Sequence, residues 1–415
     1  MNATRAIELG YNWYPNHDNF HDKYIFNPGI TNLIILWKLW FGTERSLPYL
    51  FIVFNLIILL SGFDLCRRLR LGKSVRYLYA YMMIAMPSNT VILNLIWSEI
   101  PTVTCCMSAC WLVTVALDSQ GAARRNILLC GAGMLLGAGY WIRPLAICWL
   151  ASAGIFLLMR KARIAAPATL CAAFGCVLVL VAIVTHRVFP DYNFSATTSS
   201  FNLLMSADES ATGSYNNIPF KKGHRGFLEC ATDSSRPSGV VAPWDTTVHY
   251  FRTRADGFTY RQYDSAYRTI SIAYIKEHPW DYVSQTPAKF SGMYMPNNAY
   301  IYPAEGAGFN RFQKKLYGVY WGYQSSVNRW LYIPVLCIFW LGFVPLLCWR
   351  RQSFMFIALP VLLVTMATLP FVGIFRYSFI TLPWIYAGSA IAVTSAFQWL
   401  RARCHTELTP HTQQP

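Results

Sequence analysis

Long apolar stretches separated by short polar loops dominate this chain. A helix of about 20 apolar residues is long enough to cross a hydrocarbon core of ~30 Å. A backbone in lipid must also satisfy its own hydrogen bonds, which favours helices. We therefore predict an all-α multi-pass membrane protein with about nine transmembrane helices. These spans are predicted at residues 46–66, 77–96, 99–117, 126–142, 144–159, 166–186, 330–348, 354–372 and 377–399.

Two segments depart from this pattern. Residues 29–42 are apolar but short and contain Lys38, so we predict a helix that lies in the membrane interface. Residues 187–328 form a long polar segment, in which Tyr267, Ile270 and Tyr274 recur at helical spacing. They predict a helix over residues 263–291 with a break at Pro279.

Lys and Arg gather in every second loop, and the short turns between these loops, near Ile96, Trp141 and Gly373, are not basic. Cytoplasmic loops attract these residues, so the alternation predicts the orientation as well as the number of spans. It places residues 187–328 outside the cytoplasm as one large extracytoplasmic α-rich region. The basic loops lie at residues 67–76, 118–125, 160–163, 349–352 and 401–403.

The resulting domain organisation has five parts. They are an external loop with the interfacial helix (1–45), an N-terminal transmembrane bundle (46–186), the extracytoplasmic region (187–328), C-terminal transmembrane helices (329–400) and a cytoplasmic tail (401–415).

Composition excludes several functional classes. The chain is 54% hydrophobic and 13% charged, whereas a soluble domain carries about a quarter charged residues. Its net charge of +16 does not indicate a nucleic-acid partner, because 14 of the 35 Lys and Arg lie in the basic loops, facing anionic lipid. The long polar segment contains a lone cysteine, Cys230, and no Cys–His spacing predicts a metal site.

Three charged residues lie at predicted outer ends of spans, where a charge is costly unless it has a partner or a function. They are Glu99, Arg143 and Arg376. The polar N-terminal segment, with His17, Asp18, His21, Asp22 and Lys23, is predicted to lie on the same side. Arginines there could hold a phosphate through bidentate hydrogen bonds. A carboxylate there could act as a general base.

Structural roles are the alternatives for each of these residues. Ser98 and Glu99 precede Pro101, as at an ordinary helix start, so Glu99 could serve as a cap. Arg143 and Arg376 could anchor span ends by snorkelling. Asp64 is predicted to pair with Arg67 or Arg68.

Several short stretches, taken in order, resemble the GT-C superfamily of integral membrane glycosyltransferases. The resemblance is to bacterial relatives of the protein mannosyltransferases and of the aminoarabinose transferase. It covers most of the chain. The matching stretches are 24–42 (YIFNPGITNLIILWKLWFG), 98–99 (SE), 143–144 (RP), 202–213 (NLLMSADESATG), 272–290 (IAYIKEHPWDYVSQTPAKF) and 376–377 (RY).

The resemblance implies transfer of a sugar from a polyprenyl-phosphate donor on the extracytoplasmic face. Such enzymes have a carboxylate base just after a first span, and that position would fall at or before residue 1. We therefore expect a further span upstream of residue 1. Asp18 or Asp22 could substitute as the base, Glu99 is a further catalytic candidate, and otherwise the chain is an inactive remnant.

The leaving lipid phosphate is an anion, and cationic donors aimed at it would stabilise the transition state. Arg143 and Arg376 are the candidates for this role, with Lys289 a more distant one. No cofactor is implied, although a divalent cation could be accommodated. The acceptor would be a glycan, a lipid or a protein.

The implied location is a bacterial inner membrane, with the active face periplasmic or extracellular. Alternatives are an endoplasmic reticulum location, an O-antigen polymerase or ligase, an inactive lipid-binding protein, and a transporter. A transporter would have polar, broken helices near mid-membrane.

Overall fold

The structure is a computed structural model of the full chain. It describes residues 29–42, 46–86, 98–188, 198–207, 211–213, 260–294, 330–348, 351–371, 373 and 376–407. These residues are helical or lie in short connections, and no β-strand occurs among them. The described part of the chain is therefore all-α, as predicted.

The helices of the first half are α1 (Gly29–Phe41), α2 (Leu47–Arg68), α3 (Lys73–Ala85), α4 (Glu99–Asp118), α5 (Ala122–Ile142), α6 (Ile147–Met159) and α7 (Ala165–Val188). A single 3₁₀ turn, Pro144–Ala146, joins α5 to α6. The helices of the second half are α8 (Thr198–Ser206), α9 (Tyr260–Glu277), α10 (Pro279–Ser284), α11 (Thr286–Tyr294), α12 (Trp330–Cys348), α13 (Arg351–Thr368), α14 (Arg376–Phe379) and α15 (Leu382–Glu407).

Four of these helices are long and apolar enough to cross a membrane. They are Leu47–Arg68, Glu99–Asp118, Ala165–Val184 and Trp330–Cys348. Gly29–Phe41, Pro144–Met159 and Gln352–Thr368 are apolar but shorter. The described helices thus support a membrane protein, whereas the expected number of nine spans is not confirmed.

Small residues allow two of the long helices to approach closely. Gly133 and Gly137 lie one turn apart on α5, facing α7. A β-carbon at Gly133 would lie 2.3 Å from the carbonyl oxygen of Leu170, and one at Gly137 would lie 2.7 Å from the side chain of Val177. Small residues spaced four apart are typical of tightly packed helix pairs in membranes. They hold α5, and Arg143 that follows it, firmly in the bundle.

Aromatic pairs fasten α6 to the C-terminal helices. Trp149 packs edge-on against Trp384 at 4.9 Å, and Phe156 stacks on Phe356 at 4.0 Å between ring centroids. Both tryptophans are buried. The N-terminal and C-terminal parts of the chain therefore share one hydrophobic core.

The helix predicted over residues 263–291 is present but divided into α9, α10 and α11. The break at Pro279 is confirmed, because that proline begins α10. A second break follows at Gln285, and Pro287 then lies in the first turn of α11, where proline is tolerated.

Candidate functional site

The candidate site lies at the end of the bundle where α4 begins and α5 ends, which we call the Glu99 end. Glu99 is the first residue of α4, and Pro101 lies in the same turn. Ser98 makes no side-chain hydrogen bond to the helix backbone. Its hydroxyl lies 3.3 Å from Oε2 of Glu99 and donates to it. Ser98 therefore gives α4 no side-chain cap, and the alternative that Glu99 serves as a cap stays a prediction.

Proline explains the conformation of Arg143. The ring of Pro144 disfavours the helical conformation for the residue before it. Accordingly α5 ends at Ile142, and Arg143 is extended, with φ −146° and ψ 125°. Its backbone N–H still donates to the carbonyl of Gly139, at 2.7 Å. The side chain is thereby turned away from the axis of α5 and toward α4.

Glu99 and Arg143 form a buried ion pair. Nη1 of Arg143 lies 2.5 Å from Oε1 of Glu99. The Glu99 side chain is 1% exposed and that of Arg143 is 14% exposed. The side chain of Arg143 is thus largely enclosed by the protein. A buried pair of this kind contributes little net stability, but removing one partner leaves a charge that is costly to bury.

An aromatic side chain extends this contact to the C-terminal helices. The guanidinium carbon of Arg143 lies 6.0 Å from the centroid of the Tyr377 ring, at the edge of cation–π distance. The hydroxyl of Tyr377 accepts a hydrogen bond of 2.7 Å from Nδ2 of Asn202. Segments from four distant parts of the sequence therefore meet at the Glu99 end.

The other predicted site residues are only partly placed. Arg376 begins α14 and precedes Tyr377, so its backbone lies at this same end. Nothing is described for its side chain. Asp18 and Asp22 lie outside the described residues. The described chain begins at Gly29, where a β-carbon would lie 2.8 Å from Cα of Ile142, the residue before Arg143.

Lys289 is buried at a junction where the long polar segment meets the turn that precedes Arg376. A β-carbon at Gly373 would lie 2.1 Å from the carbonyl oxygen of Lys289. Gly373 also donates its N–H to the carbonyl of Gly213, at 2.7 Å. Gly213 has φ +77°, a conformation that favours glycine. These close backbone contacts fix α11 against the turn.

The Lys289 ammonium is a buried cation without a counter-ion in the described part of the chain. The residue is 1% exposed. Its Nζ lies 3.7 Å from the centroid of the Tyr282 ring, whose face attracts a positive charge. Burial lowers the pKa of Lys289 to about 8, because the charged form loses hydration. A bound anion would restore the lost electrostatic stabilisation.

Helix α8 connects the residues around Arg143 with those around Lys289. Asn202 contacts Tyr377, and the hydroxyl of Ser206 donates to the carbonyl of Pro370, at 3.0 Å. The Tyr282 hydroxyl donates to that carbonyl as well. Asn202 and Ser206 are one helical turn apart, a rise of about 6 Å. The Arg143 and Lys289 groups are therefore held by one short helix.

Among its described residues, the site offers fixed cations and a buried carboxylate. No cluster of three or more His, Cys, Asp or Glu that could hold a metal ion occurs among the described residues. The arginine and the lysine are suited to an oxyanion such as a phosphate. Glu99, bound by Arg143, is suited to orienting that arginine.

Two residues of the site, Asn202 and Tyr377, were not assigned a role from the sequence, although both lie inside stretches that carry the resemblance. Asn202 begins the NLL stretch and Tyr377 ends the RY stretch. Their contact joins positions 175 residues apart. The order of the motifs along the chain was the available signal, but spacing alone could not pair them.

Comparisons with known proteins return little. Neither a protein-family model nor a curated protein sequence matches the chain significantly. A solved structure is similar over 97% of this chain and 45% of its own chain, with 13% sequence identity and a TM-score of 0.41. It is the archaeal oligosaccharyltransferase AglB from Archaeoglobus fulgidus, in complex with an inhibitory peptide and a dolichol-phosphate.

This chain thus spans less than half the length of AglB. A TM-score of 0.41 does not establish a common fold. What the described residues define is an all-α protein that has several helices apolar enough to cross a membrane, and a buried ionic site at one end of its bundle.

Proposed function

We propose that this protein is a membrane glycosyltransferase of the GT-C type. It moves a sugar from a polyprenyl-phosphate donor to a glycan, lipid or protein acceptor on the extracytoplasmic face of a bacterial plasma membrane. The supporting observation is the contact chain Glu99–Arg143–Tyr377–Asn202. Its members belong to four separate stretches that carry the resemblance, so the residues that match the family also meet in space.

The chemistry that fits this site is direct displacement. An acceptor hydroxyl attacks the anomeric carbon, the bond from that carbon to the phosphate oxygen breaks, and the lipid phosphate leaves as an anion. Arg143, Arg376 and Lys289 are proposed to stabilise that anion. The anion would lie at the bilayer surface, with the lipid tail between the apolar helices.

The proton of the acceptor needs a carboxylate. Glu99 would have to leave its ion pair with Arg143 to take it, so we assign Glu99 to positioning the arginine. Asp18 and Asp22 are then the preferred bases. Gly29 packs beside Ile142, so the segment that carries these residues joins the described chain next to Arg143.

The location of the charges disfavours a transporter. In transporters, polar groups and broken helices lie near the middle of the membrane. Here Glu99 is the first residue of an apolar helix and Arg143 directly follows another.

The proposal is tested by binding of undecaprenyl phosphate to the purified full-length chain in lipid nanodiscs. Wild-type protein should bind, and Lys289→Gln should weaken binding because it removes a buried cation. The matched control is Lys276→Gln, which changes an exposed lysine on α9 and should leave the affinity unchanged. Failure of the wild-type chain to bind contradicts the proposed function.

The pH dependence identifies the group responsible. Anion binding needs protonated Lys289, whose pKa is about 8. Affinity should therefore fall as the pH rises through about 8 and level off at the affinity of Lys289→Gln, because Arg143 and Arg376 stay charged. Lys289→Arg, which stays charged, should remove this alkaline loss. An affinity that does not change between pH 7 and about 9.5 in the wild type contradicts the role of Lys289.

A further inference from the structure

Three hydrogen bonds connect the segment 198–213 to the turn between α13 and α14 and to the start of α14. Each bond joins residues that are far apart in the sequence. These bonds are Ser206 Oγ to the Pro370 carbonyl (3.0 Å), Gly373 N–H to the Gly213 carbonyl (2.7 Å) and Asn202 Nδ2 to the Tyr377 hydroxyl (2.7 Å). The third bond acts on a side chain, whereas the first two act on the backbone of the turn.

That side chain is the one beside Arg143. Glu99 holds one edge of the Arg143 guanidinium, and the Tyr377 ring lies 6.0 Å from its central carbon. A tyrosine ring is free to change rotamer unless its hydroxyl or its faces are fixed. The hydrogen bond from Asn202 fixes the hydroxyl and therefore the ring.

We propose that Asn202 and Tyr377 are positioning residues for Arg143. Through them, the segment 198–213 sets the orientation of the guanidinium that faces the phosphate of the lipid donor. This inference rests on the proposed function. It adds that the extracytoplasmic segment contributes to donor binding without itself supplying the charge.

The geometry distinguishes this role from simple fastening of the turn. Pro370 and Gly373 are held through their backbone atoms, and those bonds already join Ser206 and Gly213 to the turn. Asn202 adds a contact to a hydroxyl that a phenylalanine would lack. If the bond served only to fasten the turn, its loss would lower stability and leave anion binding unchanged.

The experiment is a double-mutant cycle read by the affinity for undecaprenyl phosphate. Asn202→Ala and Tyr377→Phe remove the two partners of one bond, so each should weaken binding by roughly 3- to 10-fold. The double variant should be no weaker than either single variant, because the bond is lost only once. In an Arg143→Gln background, Tyr377→Phe should have no further effect.

The control is Tyr294→Phe, which removes another buried tyrosine hydroxyl, one that is bonded to Thr365. It should leave the affinity unchanged. If the wild type binds and Tyr377→Phe binds equally well, the positioning role is wrong while the proposed function stands. Additive losses in the double variant also contradict the positioning role. If the wild type does not bind, the proposed function and this inference both fail.

Discussion

The two ends of helix α4 both carry charged side chains, but they use them differently. Glu99 is its first residue and Asp118 its last, so about 30 Å separates the two groups. That distance is the thickness of a hydrocarbon core. The end of α4 at Asp118 is called the Asp118 end.

At the Asp118 end the charges are numerous and largely accessible to solvent. Asp64 pairs with Arg67 at 2.5 Å and with Arg68 at 2.8 Å, which confirms the pairing predicted from sequence. Arg68 also binds Asp118, at 2.7 Å. The Arg67 and Asp118 side chains are 60% and 59% exposed, so water screens both charges. This network joins α2 to α4 where each helix ends.

At the Glu99 end the ion pair is buried. Pairs exposed to solvent are worth about 0–1 kcal/mol, whereas burying a pair costs desolvation that often exceeds the attraction. A sequence selected for stability alone would place apolar residues at Glu99 and Arg143. If the proposed function is correct, the Asp118 end serves architecture and the Glu99 end serves binding.

The largest expected effect comes from breaking the buried pair. Glu99→Leu leaves Arg143 charged and buried without its carboxylate, and should lower the free energy of unfolding by about 3–5 kcal/mol. Thermal unfolding in detergent measures this loss. The double variant Glu99→Leu/Arg143→Met should regain most of the stability but none of the affinity for undecaprenyl phosphate. Recovery of binding in that variant would contradict the functional interpretation of the Glu99 end.

A smaller effect is expected from the glycine junction. Gly373→Ala places a β-carbon against the carbonyl of Lys289 and should cost about 1–3 kcal/mol through overpacking. It should also weaken anion binding, because α11 must shift. Gly154→Ala is the control, since no atom lies within 4 Å of that β-carbon. The control Gly154→Ala should stabilise α6 by about 0.5–1 kcal/mol. Equal unfolding temperatures for the two variants would contradict the importance of the close contact at Gly373.

The smallest effect is expected at the Asp118 end. Asp118→Asn removes one partner of Arg68, which keeps its bond to Asp64. The change in unfolding free energy should stay below about 1 kcal/mol and shrink further at high salt. Binding of undecaprenyl phosphate should not change. A large stability loss there would mean that the two ends do not differ as proposed.

Local patterns in the sequence predicted much of the fold. The apolar stretch 99–117 corresponds to Glu99–Asp118, and 46–66 to Leu47–Arg68, because length and hydropathy are local properties. The break at Pro279 was predictable since proline lacks an N–H. The pairing of Asp64 followed from residues three and four apart on a helix. Which helices cross the membrane was less predictable, because only four helices of the described residues are long and apolar enough to do so.

The candidate site was predictable only as a group of residues at one end of the spans. The sequence indicated that Glu99 and Arg143 lie on the same side, but not that they bind each other. Their contact depends on how α4 packs against α5, which positions 44 residues apart do not reveal. The sequence also left open whether Glu99 caps the helix, acts as a base or pairs with a cation, because an acidic residue in the first turn of a helix is compatible with each of these roles.

The burial of Lys289 depended entirely on tertiary structure. Nothing in the stretch TPAKF distinguishes a buried lysine from an exposed one, and Lys276 nearby is exposed. Three glycines bring α11 against the turn so closely that the side chain loses contact with water: Gly213, Gly292 and Gly373.

The amino-acid sequence by itself determined that this is a chain of apolar helices, where most of them begin and end, and which rare charges lie at their ends. These are consequences of hydropathy, proline and residue spacing within one helix. Only the tertiary structure decided which charges pair, which cation is buried with no counter-ion among the described residues, and which distant hydroxyl and amide lie beside Arg143. Those outcomes depend on burial and on contacts between helices, and both are set by the packing of the whole chain.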